Sequence, residues 1–321
     1  MSPRLQLTPA VAGARLIGLG SFQPDRVVTN DELAARVETS DEWIRSRVGI
    51  ESRRFADKDT LLVDMAADAG ARAIKDSGLE PSDIGTVIVA TCTMIDNIPN
   101  AAAQVAHRLG IPAPAAFDIN TACSGFSYAL ATAQHAITSG SSTTALVIGA
   151  EKLTQVMDFT DRTTCILFAD GAGAAVVTAA EQNGISPVFW GSDGPRGDVL
   201  HIDDGGYIRQ EGQAVFRWAT TALAPFARQA CERAGVDPTE LVAFVPHQAN
   251  VRIIDHIAKR LGATNAVVAR DIVESGNTSS ASIPLALSKL VESGELPSGG
   301  PALLFGFGGG LTYAGQVVTL P

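Results

Sequence analysis

The apolar residues of this chain fall into short unbroken runs, and they do not alternate with polar ones. A strand that is exposed on one face alternates, whereas a strand that is covered on both faces does not. Stretches with helical periodicity separate the runs, so we expect an α/β fold of layered sheets with helices between and outside them. The five clearest runs are TVIVA from Thr86, ALVIGA from Ala145, AAVVT from Ala174, LVAFV from Leu241 and ALLFG from Ala302.

The pattern of helix, turn and strand occurs twice along the chain. AIKDSGLEPSDIGTVIV matches ACERAGVDPTELVAFVP, which places Gly78 opposite Gly235 at an offset of 157 residues. In both copies glycine ends a helix and proline begins the next turn. A second pair of helix ends, at Ser139 and Ser293, gives an offset of 154 residues. We therefore predict two pseudo-symmetric duplicated halves, 12–180 and 181–321, whose helix N-termini converge on one pocket.

Cys123 lies where a predicted strand gives way to a predicted helix, in INTACSGFSYAL. The offset of 154 residues places Asn277 at the equivalent position of the second half. A helix N-terminus favours an anion, so we expect the thiol pKa to fall below its free value of about 8.5. The small neighbours leave room for a substrate. From position alone, a nucleophile and an inert packed cysteine are equally compatible with this site.

Two further features follow buried strands. His247, in VPHQAN, comes directly after the run LVAFV, at a strand end where α/β folds collect functional groups. A single histidine there is nevertheless more often structural. The glycine-rich FGFGGGLTYAG leads into a predicted strand, not a helix, which argues against a dinucleotide phosphate loop. Such a turn can still present a backbone N–H to an oxyanion.

Composition and charge exclude several classes of protein. The formal net charge is -10, which argues against a nucleic-acid partner. No apolar run approaches the length of a membrane span, so we expect a cytoplasmic protein without a membrane partner. The four cysteines form no CxxC pair, which predicts free thiols and no metal site. Cys92, Cys165 and Cys231 are interpreted as small buried residues.

Taken together and in this order, the motifs ACSGF, VPHQAN, SGNTSSASIP and FGFGGGLTY resemble β-ketoacyl-acyl carrier protein synthase III of the thiolase superfamily. The segments SDEWIRSRVGI and DRTTCILFADGAGA strengthen the resemblance, which extends over most of the chain. It implies a five-layered αβαβα fold, usually a homodimer. It also implies an initiating condensing enzyme of type II fatty acid synthesis, with acyl-CoA and malonyl-acyl carrier protein as substrates and no cofactor.

Transferred position by position, the resemblance implies roles for individual residues. Cys123 is the acyl-accepting nucleophile, and His247 and Asn277 bind the carbonyl of the extender thioester. The N–H groups of Cys123 and Gly309 form an oxyanion hole. The further implied residues are Trp43, Arg47 and Arg162 for coenzyme A, Arg217, Arg252, Lys259 and Arg260 for the carrier protein, and Ile98 and Phe168 for the acyl pocket.

The sequence leaves three other functions open. A starter-unit condensing enzyme of a polyketide pathway would carry the same motifs. A cysteine hydrolase would use Cys123, His247 and Asn277 as a protease-like triad. A noncatalytic carrier-binding scaffold could retain the fold. Ile98 replaces an aromatic residue of some bacterial members, and the segment 195–211 is shorter than usual; both lie near the expected acyl channel.

Overall fold

The computed structural model of the protein describes residues 11–96 and 98–321. The first ten residues lie outside the described residues, as does Asn97. In the described part of the chain, no helix combines the length and the apolar composition needed to cross a bilayer.

Helices and strands alternate through both halves of the chain. In the first half they are β1 (Gly13–Phe22), β2 (Val27–Thr29), α1 (Asn30–Ala34), α2 (Asp41–Arg47), β3 (Ser52–Arg54), α3 (Leu62–Ser77), β4 (Thr86–Ala90), α4 (Ala101–Arg108), β5 (Ala115–Ile119), α5 (Gly125–Thr138), β6 (Thr144–Lys152), α6 (Arg162–Cys165) and β7 (Asp170–Ala180). In the second half they are β8 (Phe189–Ser192), β9 (Leu200–Ile202), β10 (Ile208–Gln210), α7 (Gly212–Ala234), β11 (Ala243–Pro246), α8 (Val251–Leu261), β12 (Val267–Val268), α9 (Ile272–Ser275), α10 (Ser282–Glu292), β13 (Pro301–Gly308) and β14 (Thr312–Thr319).

The long strands form two five-stranded sheets with the same topology. Their orders are β1-β7-β6-β4-β5 and β8-β14-β13-β11-β12. In each sheet the two pairs on one side are antiparallel and the two pairs on the other side are parallel. The strands of the first sheet end at Ala180 and those of the second begin at Phe189. The division of the chain at residues 180 and 181 itself stays a prediction.

Five layers stack because the central strands are apolar on both faces. Successive side chains of a strand point to opposite faces. Accordingly Ile88 of β4 packs in the central layer, with Phe126 of α5 and Leu287 of α10, while Val87 packs outward against α3 and α4. Helices α7 and α8 cover the outer face of the second sheet. The arrangement is the duplicated thiolase-like αβαβα fold, as the sequence predicts.

Equivalent residues in the cores of the two halves are 157 positions apart in the sequence. This offset corrects one prediction. A 3-10 turn at Ala122–Ser124 precedes α5, and its counterpart at Ser279–Ala281 precedes α10. Both turns begin with a residue of positive φ, 46° at Ala122 and 48° at Ser279. Cys123 is therefore equivalent to Ser280. The proposed equivalence with Asn277 is wrong because α5 has 14 residues and α10 has 11, which changes the offset only after the helices.

Candidate active site

A cavity of about 880 Å³ is lined by residues of both halves. Its buried floor contains Cys123, His247 and Asn277. Eight lining residues are exposed, and we call the part of the wall formed by five of them the cavity mouth: Trp43, Arg47, Arg162, Arg217 and Arg252. The hairpin of β9 and β10, within the short segment 195–211, contributes Leu200 and Gln210 to the wall. In the part of the chain that the structure describes, no group of three or more potential metal ligands occurs.

Cys123 lies in the 3-10 turn that leads into α5, and its side chain is 5% exposed. The end of β13 presses directly against it. A Cβ atom at Gly308 would lie 2.5 Å from the Cβ and 2.8 Å from the Sγ of Cys123. These distances are well inside van der Waals contact, so only glycine leaves room for the sulfur at this point.

The thiol of Cys123 is less acidic than the sequence led us to expect. Burial raises its pKa to about 11, and the negative charge of Glu151 acts in the same direction. Hydrogen bonds from the Ser279 hydroxyl and from the N–H groups of Gly309 and Cys123 act against this rise. The expectation of a lowered pKa was wrong because desolvation of the thiolate is the largest effect on this thiol and raises its pKa. The free thiol therefore carries its proton at neutral pH.

The backbone N–H groups of Gly309 and Cys123 both act on the Cys123 sulfur, because each lowers the pKa of the thiol. An acyl group on that sulfur would bring its carbonyl oxygen within reach of both donors. Two fixed N–H groups are the usual means of stabilising the oxyanion of a tetrahedral intermediate. The glycine-rich segment ends β13 and continues into the strand β14, so it forms a turn between strands and no phosphate-binding loop.

His247 follows β11 directly and is buried against the Phe307 ring, whose centroid lies 5.2 Å from that of the imidazole. Its Nδ1 lies 2.7 Å from the Oγ of Ser282. That hydroxyl also accepts a hydrogen bond from the Gln248 N–H at 3.3 Å. The arrangement satisfies every group if Ser282 donates its single proton to Nδ1. The proton of the ring is then on Nε2. Burial lowers the pKa of His247 to about 3, so the ring is neutral.

Asn277 is fixed by three backbone hydrogen bonds. Its main-chain N–H donates to the carbonyl of Leu167 and its carbonyl accepts from Ala169, both at 2.9 Å. Its side-chain Oδ1 accepts from the N–H of Ser279 at 2.9 Å, which fixes the orientation of the carboxamide. The Nδ2 group thus remains as a donor at the cavity floor. The protease-like triad does not form, because Nδ1 of His247 is bonded to Ser282 and not to Asn277.

The three residues implied for coenzyme A meet at the cavity mouth. The guanidinium carbon of Arg162 lies 5.2 Å from the ring centroid of Trp43. An N–H of Arg162 also donates to the carbonyl of Glu38 at 2.9 Å, which holds the side chain in place. Arg47 lines the same end of the cavity. A flat adenine ring can stack on the outer face of the guanidinium or of the indole.

The remaining implied residues divide between the cavity and the outer surface. Arg217 and Arg252 line the mouth, and Phe168 lines the interior. Lys259 and Arg260 are exposed at the far end of α8, about 10 Å along the helix from Arg252. Ile98 is 91% exposed and lies outside the cavity wall of its own chain.

Several residues of the site were not found from the sequence. Ser282 and Phe307 contact His247 from α10 and β13, and Ser279 and Glu151 lie behind Cys123. A charged residue at the end of the apolar run ALVIGAE was the available signal for Glu151. The two serines belong to a run of small residues in which no single position stands out.

Comparisons with known proteins show the family to which the chain belongs. Residues 117–194 match the family 3-Oxoacyl-[acyl-carrier-protein (ACP)] synthase III, and residues 231–320 match its C-terminal family. The β-ketoacyl-[acyl-carrier-protein] synthase III 4 of Streptomyces coelicolor is 58% identical over 96% of this chain and 99% of its own length. A crystal structure of the priming β-ketosynthase from a polyketide biosynthetic pathway has a TM-score of 0.96 at 44% identity, over 99% of both chains. The synthase III of Aquifex aeolicus has a TM-score of 0.91 at 41% identity, over 96% of this chain and 100% of the other.

Fold and site together define an acyltransferase of the condensing-enzyme class with a thiolase-like fold. More particularly, the chain belongs to the β-ketoacyl-acyl carrier protein synthase III family and is an initiating condensing enzyme.

Proposed function

We propose that the chain transfers an acyl primer from acyl-CoA to Cys123 and condenses it with malonyl-acyl carrier protein, at the start of type II fatty acid synthesis. The products are β-ketoacyl-acyl carrier protein, CO₂ and coenzyme A. The observation that carries the proposal is that Cys123, His247 and Asn277 line the floor of one cavity. A relative named β-ketoacyl-[acyl-carrier-protein] synthase III is 58% identical to this chain, against 44% for the priming β-ketosynthase of the polyketide pathway, which favours the initiating synthase over the polyketide alternative.

In the first half-reaction the sulfur of Cys123 attacks the thioester carbonyl of the primer. The N–H groups of Cys123 and Gly309 receive the negative charge of the tetrahedral intermediate. The bond between the carbonyl carbon and the coenzyme A sulfur then breaks. Coenzyme A leaves as a thiolate, and it takes up the proton that Cys123 lost. Trp43, Arg47 and Arg162 at the cavity mouth bind the nucleotide end of the primer.

In the second half-reaction the malonyl thioester loses CO₂ and becomes an enolate. The charge develops on its carbonyl oxygen, where the Nε2–H of His247 and the Nδ2–H of Asn277 can donate hydrogen bonds. Because the His247 ring is neutral, it donates without titrating near pH 7. The enolate carbon then forms the new carbon–carbon bond to the acyl carbonyl, and the carbon–sulfur bond to Cys123 breaks. The sulfur leaves as a thiolate and takes up one proton from water, which restores the free thiol. Each such donor lowers the barrier by about 3 kcal/mol.

Further features of the proposal rest on the family resemblance. Residues 12–180 supply the nucleophile, and residues 181–321 supply His247 and Asn277. The enzyme works as a cytoplasmic homodimer without a cofactor, and Ile98 and Phe168 contribute to the acyl pockets. Arg217, Arg252, Lys259 and Arg260 bind the acidic carrier protein.

The test is intact-mass measurement of the protein after incubation with a panel of acyl-CoA thioesters, followed by addition of malonyl-acyl carrier protein. We expect one acyl group per chain on Cys123 and then a β-ketoacyl product. Cys123→Ser should lose most acylation, because an alkoxide is far harder to form than a thiolate. Release of the primer as free acid would indicate a hydrolase. An undiminished turnover of Cys123→Ser would contradict the assigned nucleophile.

A further inference from the structure

Arg53, on β3, is a buried cation that the reaction described so far does not use. Its side chain is 0% exposed, and burial lowers the pKa of its guanidinium to about 10, so the group is still charged at neutral pH. In the described part of the chain, its hydrogen bonds go only to uncharged oxygens: the carbonyls of Val28 and Ile166 and the Oδ1 of Asn30. Burial of a charge that no carboxylate accepts directly is costly, so we looked for what this side chain holds.

We propose that Arg53 is a positioning residue for Asn277, because its side chain joins the two chain segments that hold Asn277 at the cavity floor. The inference rests on the proposed role of Asn277 as a hydrogen-bond donor to the extender. Arg53 is not among the residues that line the cavity, so it acts through Asn277 and not on the substrate.

The first of these segments follows α6 and runs from Ile166 to Ala169 along the cavity wall. The Nη2 group of Arg53 donates to the carbonyl of Ile166 at 2.8 Å. The next carbonyl, that of Leu167, accepts from the N–H of Asn277 at 2.9 Å. The N–H of Ala169 in turn donates to the carbonyl of Asn277 at 2.9 Å, which completes a short parallel β-bridge. Arg53 therefore fixes the residue immediately before the bridge that holds Asn277.

The second segment is the chain that leads from α9 into Asn277. Gly276 has φ 71°, and a Cβ atom on it would lie 2.8 Å from the Cβ of Arg53. The aliphatic part of Arg53 thus packs directly on the backbone before Asn277, where only glycine fits. The same strand also binds α9 through its backbone, since the N–H of Glu51 donates to the carbonyl of Val273 at 2.7 Å. Arg53 therefore contacts the chain on both sides of the bridge.

Asn30 holds the other end of the guanidinium. Its Oδ1 accepts from Nη1 of Arg53 at 2.7 Å. Its Nδ2 donates to the carboxylate of Asp41 at 2.7 Å and to the carbonyl of Ile50 at 2.8 Å, so the orientation of the carboxamide is fixed. A planar guanidinium has N–H groups in fixed directions and can bond acceptors on two segments at once, which the compact ammonium of lysine does not match. The geometry therefore favours arginine at this position over any other cation.

Loss of the guanidinium should affect the two half-reactions unequally. Cys123 lies in the turn before α5 and packs against Gly308 of β13, so its position does not depend on Arg53. Asn277 would lose one support on each side, and a donor that is displaced by about 1 Å costs about 100-fold in rate. The half-reaction of the extender should therefore slow while acylation by the primer continues.

The test follows both half-reactions separately, as acyl-enzyme mass formed from acetyl-CoA and as CO₂ released from malonyl-acyl carrier protein. We expect Arg53→Lys to lower kcat for CO₂ release by about 10-fold to 100-fold, with the KM for malonyl-acyl carrier protein within about threefold of the wild-type value. Acylation of Cys123 should also stay within about threefold of the wild-type rate, since Arg53 does not hold the sulfur.

The neighbouring arginine on the same strand provides the matched control. Arg54 is half-buried, and its Nη1 group donates to the carbonyls of Pro24 and Asp25, away from Asn277. Arg54→Lys should therefore keep the wild-type rates of acylation and of CO₂ release.

A double-mutant cycle separates a positioning role from a general loss of stability. If Arg53 acts through Asn277, the double variant of Arg53→Lys and Asn277→Ala should release CO₂ within about twofold of the rate of Asn277→Ala alone. The effects of a merely structural Arg53 would multiply with those of Asn277→Ala. Arg53→Ala gives a second reading, because methylguanidinium at a non-denaturing concentration can take the place of the missing group. It should restore CO₂ release in Arg53→Ala and not in Asn277→Ala.

Four results would each overturn the inference. They are wild-type CO₂ release in Arg53→Lys, equal loss of acylation and CO₂ release in that variant, multiplying effects in the double variant, and a folded Arg53→Ala that methylguanidinium does not rescue. If neither Arg53 variant folds, Asn30→Ala removes the anchor at the far end of the guanidinium and should show the same selective loss, with an equal loss of both half-reactions counting against the inference.

The outcome for Asn277 separates this inference from the proposed function. If Asn277→Ala releases CO₂ at the wild-type rate, the proposed role of Asn277 fails, and the role of Arg53 fails with it. Slow CO₂ release in Asn277→Ala together with any of the four results above removes the role of Arg53 alone.

Discussion

At the scale of single residues, burial determines the chemistry of the site more than sequence position does. Cys123 and His247 could be identified from their places at the start of a helix and the end of a strand. Their pKa values could not be predicted from the sequence, because these values depend on how completely residues from distant parts of the chain exclude water. Likewise Ser282 reaches His247 from another element, so the tautomer of the ring required the fold.

The buried neutral imidazole predicts a specific dependence of stability on pH. The pKa of His247 is about 3 in the folded protein, against the ordinary value of 6.5. The unfolded chain therefore binds an extra proton as the pH falls below 6.5, and the free energy of unfolding decreases. The contribution of this one residue is at most about 1.4 kcal/mol per pH unit.

We expect His247→Gln to reduce that slope between about pH 7 and about pH 5, measured by urea unfolding at each pH. The exposed His201 on β9 supplies the control, since His201→Gln should keep the wild-type slope. An unchanged slope in His247→Gln would contradict the buried neutral ring.

At the scale of elements, the duplication explains how the two halves reach one cavity. The repeat in helix, turn and strand could be predicted from the sequence, as could the order of strands and helices around Cys123 and His247. The residue equivalent to Cys123 could not be predicted correctly, because the sequence offset indicated Asn277 and the structure shows Ser280. The three residues by which α10 is shorter than α5 have no signal in the sequence until the helix boundaries are known.

The close approach of β13 to Cys123 gives a prediction for this element. Gly308→Ala would place a methyl group 2.8 Å from the sulfur, so the 3-10 turn and the nucleophile must shift. We expect acylation from acyl-CoA to fall by about 100-fold, since a displacement of about 1 Å costs that much. The rate of acyl-enzyme formation is the measurement.

Gly194→Ala provides the matched control, because a Cβ at Gly194 would meet no atom within 4 Å. That variant should acylate normally. Equal rates in Gly308→Ala and the wild type would show that the sulfur is not held against β13.

At the scale of the whole molecule, charge is distributed unevenly. The chain carries a net charge of -10, yet three exposed arginines other than Arg162 line the cavity mouth: Arg47, Arg217 and Arg252. The net charge could be read from the sequence, but this grouping depends on the packing of α2, α7 and α8. Lys259 and Arg260, which the sequence suggested equally, lie further along α8.

The binding of an acidic carrier protein should therefore depend on Arg252 at the cavity mouth. We expect Arg252→Glu to raise the KM for malonyl-acyl carrier protein by about tenfold, with the KM for acyl-CoA nearly unchanged and the effect weaker at high salt. Steady-state kinetics with each substrate varied in turn provide the measurement. Arg72→Glu on α3, at the opposite surface layer, should leave both values unchanged. Equal effects of the two reversals would contradict a local docking site.

The central claim is that the cavity floor divides its work between a sulfur that holds the primer and two neutral donors that activate the extender. The most direct measurement follows both half-reactions in His247→Ala and Asn277→Ala, as acyl-enzyme mass and as CO₂ released from malonyl-acyl carrier protein. We predict that Cys123 is still acylated and that CO₂ release falls by about 100-fold to 1,000-fold. An equal loss of acylation and of CO₂ release would contradict the account.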